Sequence, residues 1–152
     1  MYITLESDYA VRIISCLALE NRRLDAKTIS DKTKVTVRFA LKILRKLVAG
    51  GIVTSFKGTQ GGYQLARKPS EITLKDVIET IEGTYSFSRC LDPDYECTRG
   101  MSGICCYQRA FSEISYNVRK QLESYNFENM LKLQKSIDDG RDSASAEKSG
   151  EE

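Results

Sequence analysis

Between Asp25 and Arg67 two helical patterns, a tight turn and a glycine-rich hairpin follow one another, and few folds accommodate that order. Asp25 suits the N-cap of a short helix over 26–33, with Ile29 facing inward. Lys34 and Val35 form a turn, and Thr36 caps a longer helix through Ala49. Val37, Ala40, Leu41, Leu44, Leu47 and Val48 share one face of it. Gly50-Gly51 then ends the helix, because a left-handed residue after a helix favours glycine. Two strand-like runs, 52–56 and 63–67, flank a turn with three glycines between Lys57 and Gly62. A short helix, a tight turn and a longer helix make a helix-turn-helix, and the hairpin makes it winged. The expected class is mainly α with a small β wing, followed by a long C-terminal dimerisation helix.

The flanking segments fit that frame. A first helix over 5–20 buries Ala10, Ile13, Ile14, Leu17 and Ala18 in one stripe, with Cys16 beside it as a small hydrophobe. Pro69-Ser70 breaks the chain, and Thr73 caps a helix over 74–82 with Asp76 at the capping-box position. The expected division is a winged helix-turn-helix domain over 1–83, a cysteine-rich loop over 84–106, and a candidate dimerisation helix with a short terminal element over 107–136. In that helix Tyr107, Phe111, Ile114, Val118, Leu122 and Tyr125 recur with heptad-like spacing. A second copy of the chain would bury this stripe, and packing against the first helix is the alternative. The polar stretch 137–152 reads as a disordered tail.

Charge separates the two halves. Residues 1–70 hold 13 Lys/Arg against 5 Asp/Glu, and residues 71–152 hold 10 against 16. The basic half suits a polyanion. Double-stranded DNA is the expected partner, with twofold symmetry to match a homodimer. Thr36, Arg38 and Phe39 stand at the N-terminal end of the recognition helix, where base edges are read, with Lys42 one turn on. Arg38 suits a guanine edge and Phe39 a thymine methyl or an accessory core position. Lys42, Arg45 and Lys46 suit phosphates. On the wing, Lys57 adds charge, Gln60 suits a minor-groove edge, and Gly61-Gly62 lead into Tyr63. Those two glycines suit a close backbone approach, a turn needing positive φ, or both together.

Four of the five cysteines, Cys90, Cys97, Cys105 and Cys106, fall just before the long helix, and the chain has no histidine. Such density reads as a metal or redox site. Zinc on three thiolates and a carboxylate is one option, although the paired C-x2-C knuckles of structural zinc are missing. A thiol–disulfide switch pairing Cys105 or Cys106 with Cys90 or Cys97 is another.

Enzyme chemistry has little support. There is no phosphate loop, nucleophile elbow or metalloprotease helix, and no histidine for general-base work. No apolar run approaches the ~18 residues that span a bilayer. The acidic N-terminus lacks a basic signal-peptide region, so the expectation is a cytoplasmic protein with no membrane partner.

The run VRFALKILRKLVAGGIVTSFKGTQGGYQLARKPSEITLKDVIETIEG, the opening DYAVRIISCLAL and the cysteine loop before a long helix closely resemble the Rrf2 family of winged-helix regulators. The resemblance covers about residues 1–135. It implies homodimeric transcription factors, often repressors, many with an iron–sulfur cluster on three loop cysteines. Cys90, Cys97 and Cys105 match those positions, with a C-x6-C-x7-C spacing looser than the family's usual gaps, and Cys106 competes for the third place. Members of the IscR type use a histidine as fourth ligand, whereas those of the NsrR type use an aspartate from the partner subunit. Asp8 matches that aspartate, and Cys106 and Glu96 are lesser candidates. A carboxylate at Asp8 also suits the positive end of the first helix. Three thiolates and one oxygen suit either a 2Fe–2S or a 4Fe–4S cluster, with nitric oxide, redox state or iron–sulfur status as the signal.

Overall fold

Ala10, Ile13, Ile14 and Leu17 run down one side of the first helix and are essentially excluded from solvent. Around that stripe the rest of the domain is laid. The computed structural model describes residues 3–148, with side chains described through residue 140. Helix α1 (Leu5–Glu20) is capped by Thr4, whose hydroxyl accepts the Ser7 N–H, and ends at Asn21 in left-handed geometry. Helix α2 (Ala26–Thr33) is capped by Asp25, as its sequence indicates, and turns at Lys34 (φ 58°) into α3 (Val37–Ala49). Helix α3 ends at Gly50-Gly51, as expected. Gly51, not Gly50, takes the positive φ of 69°, while a Cβ on Gly50 would come within 2.6 Å of Thr80 Cγ2. One glycine serves the turn and the other serves packing.

Strands β1 (Val53–Phe56) and β2 (Gly62–Leu65) pair antiparallel, with Val53 opposite Leu65 and Phe56 opposite Gly62. Leu24, between α1 and α2, adds an isolated bridge to Tyr63. After a 3-10 turn at Pro69–Glu71 comes α4 (Leu74–Glu82). Its capping box is complete: Asp76 N–H donates to Thr73 Oγ1 at 3.1 Å, and Thr73 N–H to Asp76 Oδ2 at 3.0 Å. The core joins α1 to Ile29 of α2, Ala40, Ile43, Leu44 and Leu47 of α3, Ile52 and Val53 of the hairpin, and Val77 of α4.

The C-terminal part is two helices, α5 (Cys106–Ser124) and α6 (Phe127–Lys148). Their junction is stitched to the start of α4: Leu74 N–H donates to Tyr125 O at 2.9 Å, and Phe127 N–H to Ile72 O at 3.0 Å. Phe127 is 1% exposed within the core. Burying such a ring stabilises by about 1.5–3 kcal/mol, more than an exposed ion pair such as Lys75–Glu123 contributes. Phe127 therefore anchors the start of α6, where Asn126 Oδ1 accepts the Asn129 N–H at 2.9 Å. The stretch from Asp138 expected to be a disordered tail instead continues α6 to Lys148. No proline interrupts it, and Ala144, Ala146, Glu147 and Lys148 favour helix. Residues 149–152 of that expectation lie outside the described residues.

The heptad stripe of α5 is divided. Phe111, Val118 and Leu122 are half-buried against their own chain, whereas Tyr107, Ile114 and Tyr125 are exposed. On the buried side Arg119 makes a two-pronged ion pair with Glu79 of α4.

Candidate DNA interface and cysteine loop

The outer face of α3 is an open, cation-rimmed groove lined by Val37, Arg38, Phe39, Leu41, Lys42 and Arg45. Thr36 sits at the N-cap as its sequence position suggests, yet its side chain makes no capping hydrogen bond. Its hydroxyl is therefore not committed to the helix end. Arg38 is exposed and, among the described residues, has no ionic partner. Phe39 is 46% exposed and stands edge-on to Tyr9 of α1, ring centroids 6.2 Å apart. This ring is neither core nor free: it is a surface contact between α1 and the recognition helix.

The lysines of α3 carry a feature that the sequence alone does not display. Glu6 of α1 reaches both: Lys42 Nζ lies 3.3 Å from Oε2 and Lys46 Nζ 3.0 Å from Oε1. Glu6 Oε1 is buried, with this ionic contact but no well-aligned hydrogen bond. Burial pushes the carboxyl upward, but Lys46 and Lys42 together hold it below the usual value. Lys46 also donates to Ile81 O at 3.2 Å. Held twice, Lys46 joins α3 to α4 and is not the free phosphate contact expected of it. Lys42, more exposed and held once, keeps that capacity.

At the wing, Lys57 and Gln60 are exposed. Gly61 and Gly62 meet protein, not an outside surface. A Cβ on Gly61 would lie 2.7 Å from Phe56 O, and one on Gly62 2.5 Å from Leu24 O, with φ at 142°. Gly62 takes the positive φ that favours glycine, and neither position has room for a Cβ against its own chain. Tyr63 is half-buried against the core and its backbone pairs with Leu24, so it supports the wing from behind.

The cysteine loop starts two residues after Glu82, the residue that fastens α4 to α1. Glu82 Oε1 accepts from Thr4 N–H at 2.9 Å, from Thr4 Oγ1 at 2.8 Å and from Ser7 Oγ. Its far end is closed by Gln108, which donates to Cys90 O at 2.7 Å and accepts from Gly103 N–H at 2.8 Å. Phe87 packs on Phe111 with centroids 5.4 Å apart, and its N–H donates to Ser115 Oγ. All five cysteines are free thiols. Cys90 sits in a 3-10 turn with Sγ 3.3 Å from Ser88 Oγ. The Cys97 thiol is held below the usual range by the backbone N–H groups of Met101 and Arg99, with help from the Arg99 charge. Cys105 is the half-buried N-cap of α5, and Cys106 is exposed beside it. Cys16 packs beside the core as a small hydrophobe, and burial pushes its thiol up.

Asp8 is half-buried and pairs with Arg12 at 2.6 Å. Arg12 lies over the Tyr9 ring at 5.5 Å. Among the described residues no three Cys, Asp or Glu side chains of one protomer come together closely enough to hold a metal. Cys90, Cys97 and Cys105 fit soft iron by donor type and share one tied loop, but Asp8 and Glu96 do not join them within the protomer.

The Rrf2 family model, described as an iron-dependent transcriptional regulator, matches residues 3–133. A helix-turn-helix transcriptional regulator of Aquifex aeolicus is 26% identical over 83% of this chain and 88% of its own. The regulator NsrR of Shouchella clausii is 23% identical over 86% and 89%. Among solved structures, T. potens IscR superposes with a TM-score of 0.68, 22% identity, and 88% of each chain covered. CymR of B. subtilis, named the global cysteine regulator, gives 0.67 and 24% identity over 88% of this chain and 98% of that one. These two structures share the fold.

Proposed function

The chain belongs to the Rrf2 family of transcriptional regulators, and from that premise we propose a homodimeric repressor whose grip on a twofold-symmetric operator is set by an iron–sulfur cluster on the loop cysteines. Cys90, Cys97 and Cys105 would hold the cluster, with Cys106 as the alternative third thiol and Asp8 contributed by the partner subunit. Bound there, a cluster supplies iron–thiolate bonds that respond to nitric oxide and to redox state. The observation that carries the reading is the root of the loop. Glu82, two residues before it, fastens α4 to Thr4 and Ser7 at the start of α1, beside Glu6 and the lysines of α3.

The chain's own residues supply a route between the two sites. Whatever competes for the Asp8 carboxylate competes with Arg12. Arg12 lies against Tyr9, and Tyr9 against Phe39 at the front of α3. A change at Asp8 thus reaches the recognition helix through three contacts. The exposed Tyr107, Ile114 and Tyr125 face of α5 suits burial against a second copy. Two recognition helices then dock half-sites about 34 Å apart, and small changes of dimer geometry alter that fit. No helix among the described residues is long and apolar enough to cross a membrane. A cytoplasmic setting, where thiols stay reduced, suits the reading.

A second reading is favoured by Cys97. Its thiol faces backbone N–H groups, an arrangement that suits a metal-free thiol switch. Purification without oxygen separates the two. Visible absorbance with bound iron supports the cluster; colourless, metal-free protein that forms disulfides on oxidation supports the switch, and bound zinc contradicts both.

A further inference from the structure

The linker between α1 and α2 runs along the edge of the wing. Leu24 exchanges both backbone hydrogen bonds with Tyr63, at 3.0 and 2.8 Å. Arg23, next to it, reaches across the hairpin. Its guanidinium carbon lies 3.6 Å from the centroid of the Phe56 ring, at the end of β1. From that stacked position Nη1 donates to the Gln60 carbonyl at 2.9 Å. Its stem covers Gly62, where a Cβ would come within 3.2 Å of Arg23 Cγ. Within the tip, Gly61 N–H donates to Gly58 O at 2.9 Å. Arg23 is therefore the side chain that ties the tip to the body of the domain.

The chemistry of the contact is specific to arginine. A planar guanidinium can stack on a ring and still donate in its own plane, which a lysine ammonium cannot do. With Gln60 O held inward, the Lys57–Gln60 segment has one height relative to α3. The exposed side chains of Lys57 and Gln60 are the groups that such a wing offers to DNA.

We propose that Arg23 is a positioning residue of the wing: by clamping Phe56 and the Gln60 carbonyl it sets how the tip meets the minor groove, and so sets the preference for base pairs flanking each major-groove half-site. This rests on the DNA-binding reading. A direct phosphate contact by Arg23 is the rival. It would add affinity to every sequence equally and carry one counterion's worth of salt dependence.

The test uses full-length protein and a duplex enriched from a randomised library by the wild type. Affinity is measured for that duplex and for one with the flanking A·T and G·C pairs exchanged, across a range of salt. The wild type should prefer the enriched flanks by roughly five- to tenfold. Arg23→Ala and Arg23→Lys should both bring that ratio to within about twofold while leaving the salt slope near that of the wild type. Thermal unfolding checks that each variant is folded, and Arg23→Lys decides if Arg23→Ala is not. Rescue by lysine overturns the proposal. So does equal loss on both duplexes with a slope reduced by about 0.9. A wild type that enriches a half-site but ignores its flanks overturns it as well. Failure to enrich any sequence instead overturns the DNA-binding reading beneath it.

Discussion

Lys42 of the recognition helix lies 3.3 Å from the carboxylate of Glu6 in the first helix. A phosphate approaching α3 must therefore compete with a carboxylate already in place. Glu6→Gln removes that competitor while keeping the side chain's shape. The variant should bind DNA severalfold more tightly at low salt, equally on specific and random duplexes, with a salt slope steeper by up to about 0.9. Titration of both duplexes at several salt concentrations checks it.

Arg38 and Lys57 should differ in kind. Arg38, unpaired at the N-terminal end of α3, is placed to read a guanine edge, so Arg38→Ala should cost about 1–3 kcal/mol of discrimination. Lys57→Ala should weaken binding to all sequences and flatten the salt dependence. Competition between the enriched duplex and random DNA measures both. Equal loss on the two duplexes for Arg38→Ala would make it a phosphate contact.

Glu82 predicts a pH dependence of stability. Burial pushes its carboxyl up, but the Ser7 and Thr4 donors and the Lys46 charge outweigh this, so it titrates below its ordinary 4.5. A depressed carboxylate binds fewer protons folded than unfolded. Its contribution is whole above the unfolded value near 4.5 and fades as pH falls toward the lower folded value. Glu82→Gln should lower the melting temperature at pH 7 and show a shallower loss on acidification. Melting curves from pH 7 to 3 test this, and parallel curves for the two proteins would contradict it.

Cys97 should be alkylated more readily than Cys16. Backbone N–H groups stabilise its thiolate, whereas Cys16 is held up by burial. In metal-free, reduced protein at neutral pH, limited iodoacetamide should label Cys97 before Cys16, as read by peptide mass mapping.

Much of this was legible in the chain itself, where local rules decide. The bounds of α1 and α4 follow from apolar spacing and from the Thr73–Asp76 capping box, interactions within four residues. The Glu6 pairing with α3, the Arg23 clamp on the wing and the Leu24–Tyr63 bridge join residues far apart in sequence, and no periodicity encodes them. Phe127 looked like part of a short terminal element because its burial depends on Ile72, which is remote in sequence. The cysteines are legible as a cluster in sequence, but among the described residues no three Cys, Asp or Glu side chains converge on one point. Within a protomer Asp8 is occupied by Arg12, away from the thiols.

The central claim is that the cysteine loop governs DNA binding. The measurement is the affinity of anaerobically purified protein for its enriched duplex, before and after stoichiometric nitric oxide, for the wild type and for Cys97→Ser. The account predicts a change of at least about tenfold, ~1.4 kcal/mol, in the wild type and none in the variant. Equal affinity before and after in the wild type, with iron confirmed bound, would contradict it.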